Sequence, residues 1–259
     1  MTTFSATPSD MPFETAKIAG VPLAAVSLAG LGELMVADCR QAQRGGPWTA
    51  RTVFDLNAHA LSLRTTDADY RAALDQADII HADGGFLIPV SRLRSRTPVP
   101  ERSATTDFIW EAARRAEAEG LSFFLLGGEP GLAERAAARL VAQHPGLKIA
   151  GLRDGFFDAG DEDQVIEAIN ASGADILWVG MGKPNEQIFS IRYRERLNVG
   201  WIVTCGGCFN FVTGDYRRAP GWMQRLHLEW LHRLACRPRS MFMRNLITNP
   251  HALYLALTR

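Results

Sequence analysis

The run "ADIIHAD" ends in Asp83, and Gly84 and Gly85 follow it. A carboxylate at the tip of such an apolar run has two roles open to it. It can close an Asp-Gly turn, or it can stand over a pocket as a proton acceptor, with the glycines leaving room for a substrate. The preceding run, "RTVFDLNAH", carries Asn57 to a similar end, two residues after Asp55. Neighbouring strand ends of a parallel sheet share one rim. The Asn57 amide and the Asp83 carboxylate would therefore stand together, an arrangement suited to a sugar.

Other spacings are less productive. "LLGGEPGLAER" runs from strand through a Gly-rich turn at Gly127 and Gly128 into a helix, so its backbone N–H groups could receive a diphosphate. Its glycines miss the GxGxxG spacing of a dinucleotide site, which leaves another phosphate-bearing ligand or a plain tight turn. In "HLEWLH", His227 and His232 are five residues apart instead of four and diverge around a helix, against a zinc-protease reading. "DAD" at Asp67 to Asp69 and "DED" at Asp161 to Asp163 fall at helix starts, where acids cap the N-terminus. Cys205 and Cys208 form a CxxC with no second pair at zinc spacing, which reads as turn packing. Neither a metal nor a cofactor is expected.

The elements that must position these groups follow from periodicity. Short β-branched or aromatic runs, "RTVFDL", "ADIIHAD", "LSFFLLGG", "LKIAGL", "ADILWVGMG" and "GWIVTCGG", read as strands. Segments of helical period lie between them at Arg71 to Ala77, Phe108 to Glu119, Leu132 to Gln143, Asp163 to Ala171 and Glu186 to Leu197. This rhythm predicts an α/β fold, a mostly parallel Rossmann-like sheet with helices on both faces. Two helices, Pro220 to Ala235 and Pro238 to Leu257, follow without strands. The expected organisation is a flexible tail over 1–17, an α/β catalytic domain over 18–214 and a helical appendage over 215–259.

Charge separates that appendage from the body. The chain balances 28 basic against 28 acidic residues, which gives no reason to expect nucleic acid. From Asp215 onward, however, eight arginines face only Asp215 and Glu229. Trp222, Met223, Trp230, Met241, Phe242 and Met243 are interleaved with them. That mixture suits an anionic membrane surface, and equally a pair of amphipathic helices packed on the body or on a second copy. Gly20 to Ala37 is apolar but is interrupted by Pro22 and Glu33, a poor membrane span. Four scattered cysteines and no basic leader fit a reducing cytoplasm.

Taken together, "DLNAH", "HADGG", "FLLGGEPG", "GMGKPNEQ", "RRAPGWM", "LEWLHRL" and "RPRSMFMRN" resemble the WecG/TagA/CpsF family of bacterial glycosyltransferases, in order and spacing, over roughly Ile18 to Asn245. The resemblance implies transfer of a sugar from a UDP donor to a polyprenyl-diphosphate-linked acceptor, with inversion and without a metal. It places the work at the inner face of the plasma membrane, in exopolysaccharide or cell-wall polymer synthesis. It makes Asp83 the catalytic base and Asn57 a substrate contact. Asp55 stands where the family has Thr, and Glu186 and Gln187 stand where Gln and Glu are usual. It also makes Arg233, Arg239 and Arg244 part of a membrane-binding appendage, near lipid phosphates or the acceptor diphosphate.

On this reading the leaving diphosphate meets strand-end amides near Gly127, Gly128 and Gly182, while Asn57 and Gln187 hold sugar hydroxyls. A homo-oligomer is compatible with the sequence. An NAD-dependent oxidoreductase using "GGEPG" and a non-enzymatic nucleotide-sugar-binding protein at the membrane stand as alternatives.

Overall fold

A computed structural model describes residues 13–158, 160–225, 229–236 and 238–258, with the side chains of 225, 233 and 238–247 outside that description. The six expected strands are all present: β3 (Arg51–Leu56), β4 (Ile79–Ala82), β5 (Ser122–Gly127), β6 (Lys148–Arg153), β7 (Ile176–Gly180) and β8 (Trp201–Thr204). They form one parallel sheet in the order β4-β3-β8-β7-β5-β6. From β3 the chain steps outward to β4, then crosses to β5 and β6, and β7 and β8 fill the middle. The connections that leave the neighbouring strands β5 and β7 run in opposite directions, to β6 and to β8, and ligands of such sheets bind beyond the carboxyl ends of the strands.

Burial on both faces explains why these runs are nearly continuous in apolar residues. Alternate side chains of β5, β7 and β8 serve different layers. Phe123, Trp178 and Trp201 pack with Phe108 and Leu31 on one face, while Phe124, Leu177 and Ile202 meet Ile166 and Phe189 on the other. The first layer is covered by α1 (Leu28–Gln43), α5 (Thr105–Glu119), α6 (Leu132–Gln143) and α9 (Cys208–Thr213). The second is covered by α7 (Glu162–Ser172) and α8 (Asn185–Tyr193). Beside β3 and β4, α2 (Ala58–Thr66), α3 (Ala68–Leu74) and α4 (Leu87–Arg94) close a third apolar cluster.

An N-terminal hairpin was not expected. β1 (Thr15–Ile18) pairs antiparallel with β2 (Val21–Ala24) across Ala19 and Gly20, both at positive φ, as a two-residue hairpin turn requires. Strand β1 thus begins inside the segment read as tail, and Ile18, Val21 and Leu23 enter the third cluster. Residues 1–12 lie outside the described residues.

Among the described residues the C-terminal segment is helical over α10 (Gly221–Arg225), α11 (Glu229–Cys236) and α12 (Pro238–Thr258), along the two stretches read as helices in the sequence. It is not a detachable appendage. Ala252, Leu255 and Ala256 of α12 are buried in the same cluster as Leu61 of α2. His251 Nδ1 lies 2.9 Å from Ser62 Oγ, and Arg94 donates to the Leu257 carbonyl at 2.7 Å. Among the described residues, no helix is long and apolar enough to cross a membrane.

Candidate active site

Asp83 stands one residue beyond β4. Its N–H and that of Gly84 both donate to the Leu56 carbonyl at the end of β3, at 3.0 and 2.9 Å, which ties the two strand ends together. A Cβ at Gly84 would lie 3.0 Å from the Phe86 ring and 3.1 Å from the Asn57 Cα, closer than side chains usually come, so glycine eases the approach of the two ends. The Asp83 carboxylate accepts from the Thr105 N–H in the first turn of α5 (3.2 Å) and from Asn57 Nδ2 (3.1 Å). The Asp-Gly turn and the pocket-facing carboxylate, weighed as alternatives in the sequence, therefore coexist in one residue.

Asn57 is a clamp. As N-cap of α2 its Oδ1 accepts from the Ala60 N–H at 3.0 Å, which fixes the orientation of the amide. Both hydrogens of Nδ2 are then committed, one to Asp83 and one to Asp55 Oδ2 at 3.0 Å. Asp55 is 4% exposed, and Lys183 Nζ lies 2.5 Å from its other oxygen and 3.7 Å from Glu186 Oε1. Burial pushes the Asp55 and Glu186 carboxyls up, and Lys183 opposes it. Burial also works against the Lys183 charge, but Asp55 and Glu186 outweigh it and raise its pKa. The shared proton resides on Lys183, because an amine starts about six units more basic than a carboxylate.

Glu186 has a structural task that its place in the motif did not reveal. It is fully buried; Oε2 accepts from the N–H groups of Gly182 and Gly206, each at 2.9 Å, and Oε1 accepts from Gln187 Nε2 at 3.1 Å. It staples the turn after β7 to the turn after β8. Gln187 is equally buried, its amide turned to Glu186 and Thr204, so its geometry does not support the expected contact with a sugar hydroxyl.

The Gly-rich turns are likewise occupied by the fold. Gly127 has φ 141°, and a Cβ there would fall 2.4 Å from the Gly180 carbonyl oxygen. The Gly128 N–H donates to that same carbonyl at 3.0 Å. These glycines let the ends of β5 and β7 touch. The Gly128 and Gly182 amides, expected to receive a diphosphate, are engaged inside the protein, on the Gly180 carbonyl and on the Glu186 carboxylate.

Around these groups lies a cavity of about 790 Å³. Asp55, Asn57, Asp83, Gly84, Lys183 and Glu186 line its floor. Trp230 and Leu234 of α11 and Pro250 and Leu253 of α12 give it an apolar wall. A second cavity of about 1170 Å³ lies over β5, β6 and β7, lined by Gly128, Gly155, Met181, Asn185, Asn210 and Tyr216. The turn after β7 contributes to both, through Gly182 in the first and Met181 in the second. Arg102, absent from the sequence reading, joins body to tail: its Nε donates to the Asp83 carbonyl at 2.6 Å and its Nη2 pairs with Glu229 of α11 at 2.6 Å. Lys183 was equally missed, although it sits inside the quoted "GMGKPNEQ".

The remaining expectations divide. Asp67 caps α3 by accepting from the Tyr70 N–H at 2.8 Å, and Asp161 and Asp163 flank the start of α7. Among the described residues, no three His, Cys, Asp or Glu side chains could jointly hold a metal. Cys205 and Cys208 are buried free thiols, and burial raises the Cys205 pKa well above the usual range, as turn packing requires. Arg233, Arg239 and Arg244 belong to α11 and α12, with side chains outside the described residues; His227 lies outside them entirely.

His81, fully buried on β4, donates from Nδ1 to the Ser103 carbonyl at 2.7 Å, while its Nε2 has no hydrogen-bond partner among the described residues. Burial holds its pKa below the ordinary 6.5, against the raising influence of Asp55 and Asp83. The folded protein keeps it neutral where the unfolded chain takes up a proton. Its stabilising contribution is complete above about pH 6.5 and is lost as the pH falls below that value. The urea midpoint is expected to drop between pH 7.5 and 5.5, and to drop less in His81→Gln. Equal drops in the two proteins would assign the dependence to other groups.

The model of the glycosyl transferase WecG/TagA/CpsF family matches residues 16–259 of this sequence. A curated relative, the N-acetylglucosaminyldiphosphoundecaprenol N-acetyl-beta-D-mannosaminyltransferase of Bacillus spizizenii, is 32% identical over 169 residues. That match spans 65% of this chain and 65% of the relative.

Proposed function

The chain belongs to the glycosyl transferase WecG/TagA/CpsF family, and from that premise we propose an inverting transfer of a hexose or N-acetylhexosamine. The donor is a UDP-sugar and the acceptor a polyprenyl-diphosphate-linked saccharide of a surface polymer. The observation that carries this reading is the Asp83 carboxylate, gripped by Asn57 and Thr105 at the rim of a cavity whose opposite wall is apolar.

Asp83 accepts the proton of the acceptor hydroxyl as its oxygen bonds to the anomeric carbon; the bond from that carbon to the diphosphate breaks on the opposite face and UDP departs. Asn57 holds Asp83 in place instead of reading the sugar. The sugar lies in the first cavity and the nucleotide in the second. The family resemblance assigns positive charge for the leaving diphosphate to Arg239 and places Arg233, Arg239 and Arg244 near lipid phosphates or the acceptor diphosphate; their helices border the first cavity through Leu234, Thr248 and Asn249. No metal is required in this scheme. A panel of UDP-sugars offered with polyprenyl-diphosphate glycosides in excess EDTA tests it. Expected are acceptor-dependent UDP release and a product heavier by one sugar. Activity only after magnesium or manganese is restored would remove the metal-free scheme, and NAD-dependent turnover would remove the reaction class.

A lipid-linked acceptor places this surface at the inner face of the plasma membrane. Trp222 of α10 is 54% exposed, and Tyr254 of α12, one of the helices that hold the apolar wall, is 62% exposed. Deleting 215–259 would open the core at Ala252 and Leu255, so point substitutions are the cleaner probe. Trp222→Ser and Tyr254→Ser are each expected to cost about 1 kcal/mol of binding to anionic vesicles, roughly fivefold in affinity. Unchanged vesicle flotation in the double variant would withdraw the membrane surface.

A further inference from the structure

We propose that the body of the protein meets an anionic lipid surface at α4, through Arg92, Leu93 and Arg96, beside Tyr254 and Leu257 of α12. The proposal rests on the reading of a lipid-linked acceptor and adds a contact outside the C-terminal helices. Helix α4 turns one face to the fold, where Leu87, Ile88, Val90 and Ser91 are buried. Arg92, Leu93 and Arg94 end it in solvent, and Leu93 is 74% exposed. Arg96 follows in a short exposed turn. Hydrogen bonds hold that turn in place: the Val99 N–H donates to Ser91 Oγ and Ser95 Oγ donates to the Thr97 carbonyl, both at 3.1 Å.

A single exposed leucine is ordinary on a protein surface. The charge around this one is not. Residues 84–100 contain three arginines and no acid. The acids that bound the stretch are engaged elsewhere, Asp83 on Asn57 and Thr105, and Glu101 on the Leu28 N–H at 2.8 Å. Among the described residues neither Arg92 nor Arg96 has an ion-pair partner. Unmatched guanidinium groups on either side of an outward leucine complement phosphates lying over hydrocarbon.

Position selects lipid as the occupant. Arg94 Nη1 donates to the Leu257 carbonyl at 2.7 Å, so α4 and α12 end side by side. Traced back from that contact, both helices lead to the first cavity: Gly85 and Phe86, just before α4, line it, and so do Asn249, Pro250 and Leu253 of α12. The eight residues of α4 span about 12 Å between the cavity and the arginines. Leu253, Tyr254 and Leu257 are all exposed, and Leu253 and Leu257 stand one turn apart on one face of α12. Apolar surface therefore leads from the cavity wall to the neighbourhood of Arg94. A soluble acidic partner would match the charge but gives no reason for this path. A lipid whose diphosphate lies at headgroup level gives both, since its sugar must reach the cavity while the arginines rest on neighbouring phosphates.

The test is flotation of the full chain with vesicles of equal parts phosphatidylglycerol and phosphatidylcholine. Arg92→Gln/Arg96→Gln is expected to weaken binding roughly 10- to 30-fold, at about fivefold per arginine, and to flatten its salt dependence. Leu93→Ser is expected to weaken binding about three- to fivefold and to keep the parental salt dependence. With the acceptor in the same vesicles, the triple variant is expected to raise the apparent acceptor KM roughly tenfold with kcat little changed. With a short-chain, water-soluble acceptor both constants stay parental, since none of the three residues lines the cavity.

Parental flotation of every α4 variant overturns the proposal. If Trp222→Ser/Tyr254→Ser has then lost the vesicles, α4 alone falls; a parent that does not float removes the membrane reading as well. A smaller particle mass of Leu93→Ser in light scattering, with vesicle binding unaltered, gives the face to a second copy and overturns the lipid. A urea midpoint of Leu93→Ser well below the parent's, again with vesicle binding unaltered, gives it to another segment of this chain. Absence of turnover with either acceptor sinks the reaction reading, and flotation still decides α4.

Discussion

Asp83→Asn is expected to lower turnover roughly 10²- to 10⁴-fold while the protein folds and still binds UDP-sugar. The substitution isolates chemistry from structure because of what Asp83 does in the fold. Its turn role is carried by backbone N–H groups of Asp83 and Gly84 on the Leu56 carbonyl, which the variant keeps. The Thr105 N–H can still be accepted by the amide oxygen, while the contact with Asn57 becomes a poor match. A turn-forming residue alone would cost about 1 kcal/mol of stability and leave kcat near the parental value. Asp55→Asn must be measured beside it, since Asp55 shares the Asn57 amide and lines the same cavity. An active Asp83→Asn with an inactive Asp55→Asn would move the base to Asp55.

Gly127→Ala is expected to destabilise the fold by about 3 kcal/mol or more, the range of severe strain combined with overpacking. The new Cβ would meet backbone, at 2.4 Å from the Gly180 oxygen and 2.7 Å from its Cα, and neither β5 nor β7 can retreat from the centre of the sheet. Gly131→Ala is the control. It also stands at positive φ, 85°, but its nearest contact is the flexible end of Arg135 at 3.5 Å, so it is expected to cost only about 1 to 2 kcal/mol. Equilibrium unfolding of both variants separates close packing from phosphate binding. A Gly127→Ala protein of parental stability that has lost UDP would return "GGEPG" to the role of a phosphate cradle.

The sheet was legible because a strand buried on both faces must be apolar almost throughout, as in "SFFLLG" and "ILWVG". The hairpin before it was not. Its strands are four residues long, and the apolar residues of β2 run directly into the approach to α1, which blurs their alternation. The site was legible at the strand ends, where Asp83 and Asn57 break apolar runs. What single residues could not show was which of their hydrogen-bonding groups the fold itself consumes. Asn57, Glu186 and Gln187 all carry sugar-binding chemistry, yet the Asn57 amide is taken by Asp55, Asp83 and the Ala60 N–H, the Glu186 carboxylate by Gly182, Gly206 and Gln187, and Gln187 Nε2 by Glu186 and Thr204. Lys183 and Arg102 escaped for the complementary reason. A lone basic residue acquires meaning only from the buried carboxylate it meets, and Asp55 lies 128 positions from Lys183 along the chain.

The configuration of the new glycosidic bond tests the central claim most directly. One carboxylate base acting on the acceptor hydroxyl, with UDP leaving from the opposite face, allows a single displacement. With an α-linked UDP-sugar, NMR of the purified lipid-linked product, read from the one-bond carbon–hydrogen coupling at the anomeric centre, is predicted to show a β-linkage. An α-linkage would mean two displacements through an intermediate on the enzyme, and would contradict Asp83 as a base acting on the acceptor.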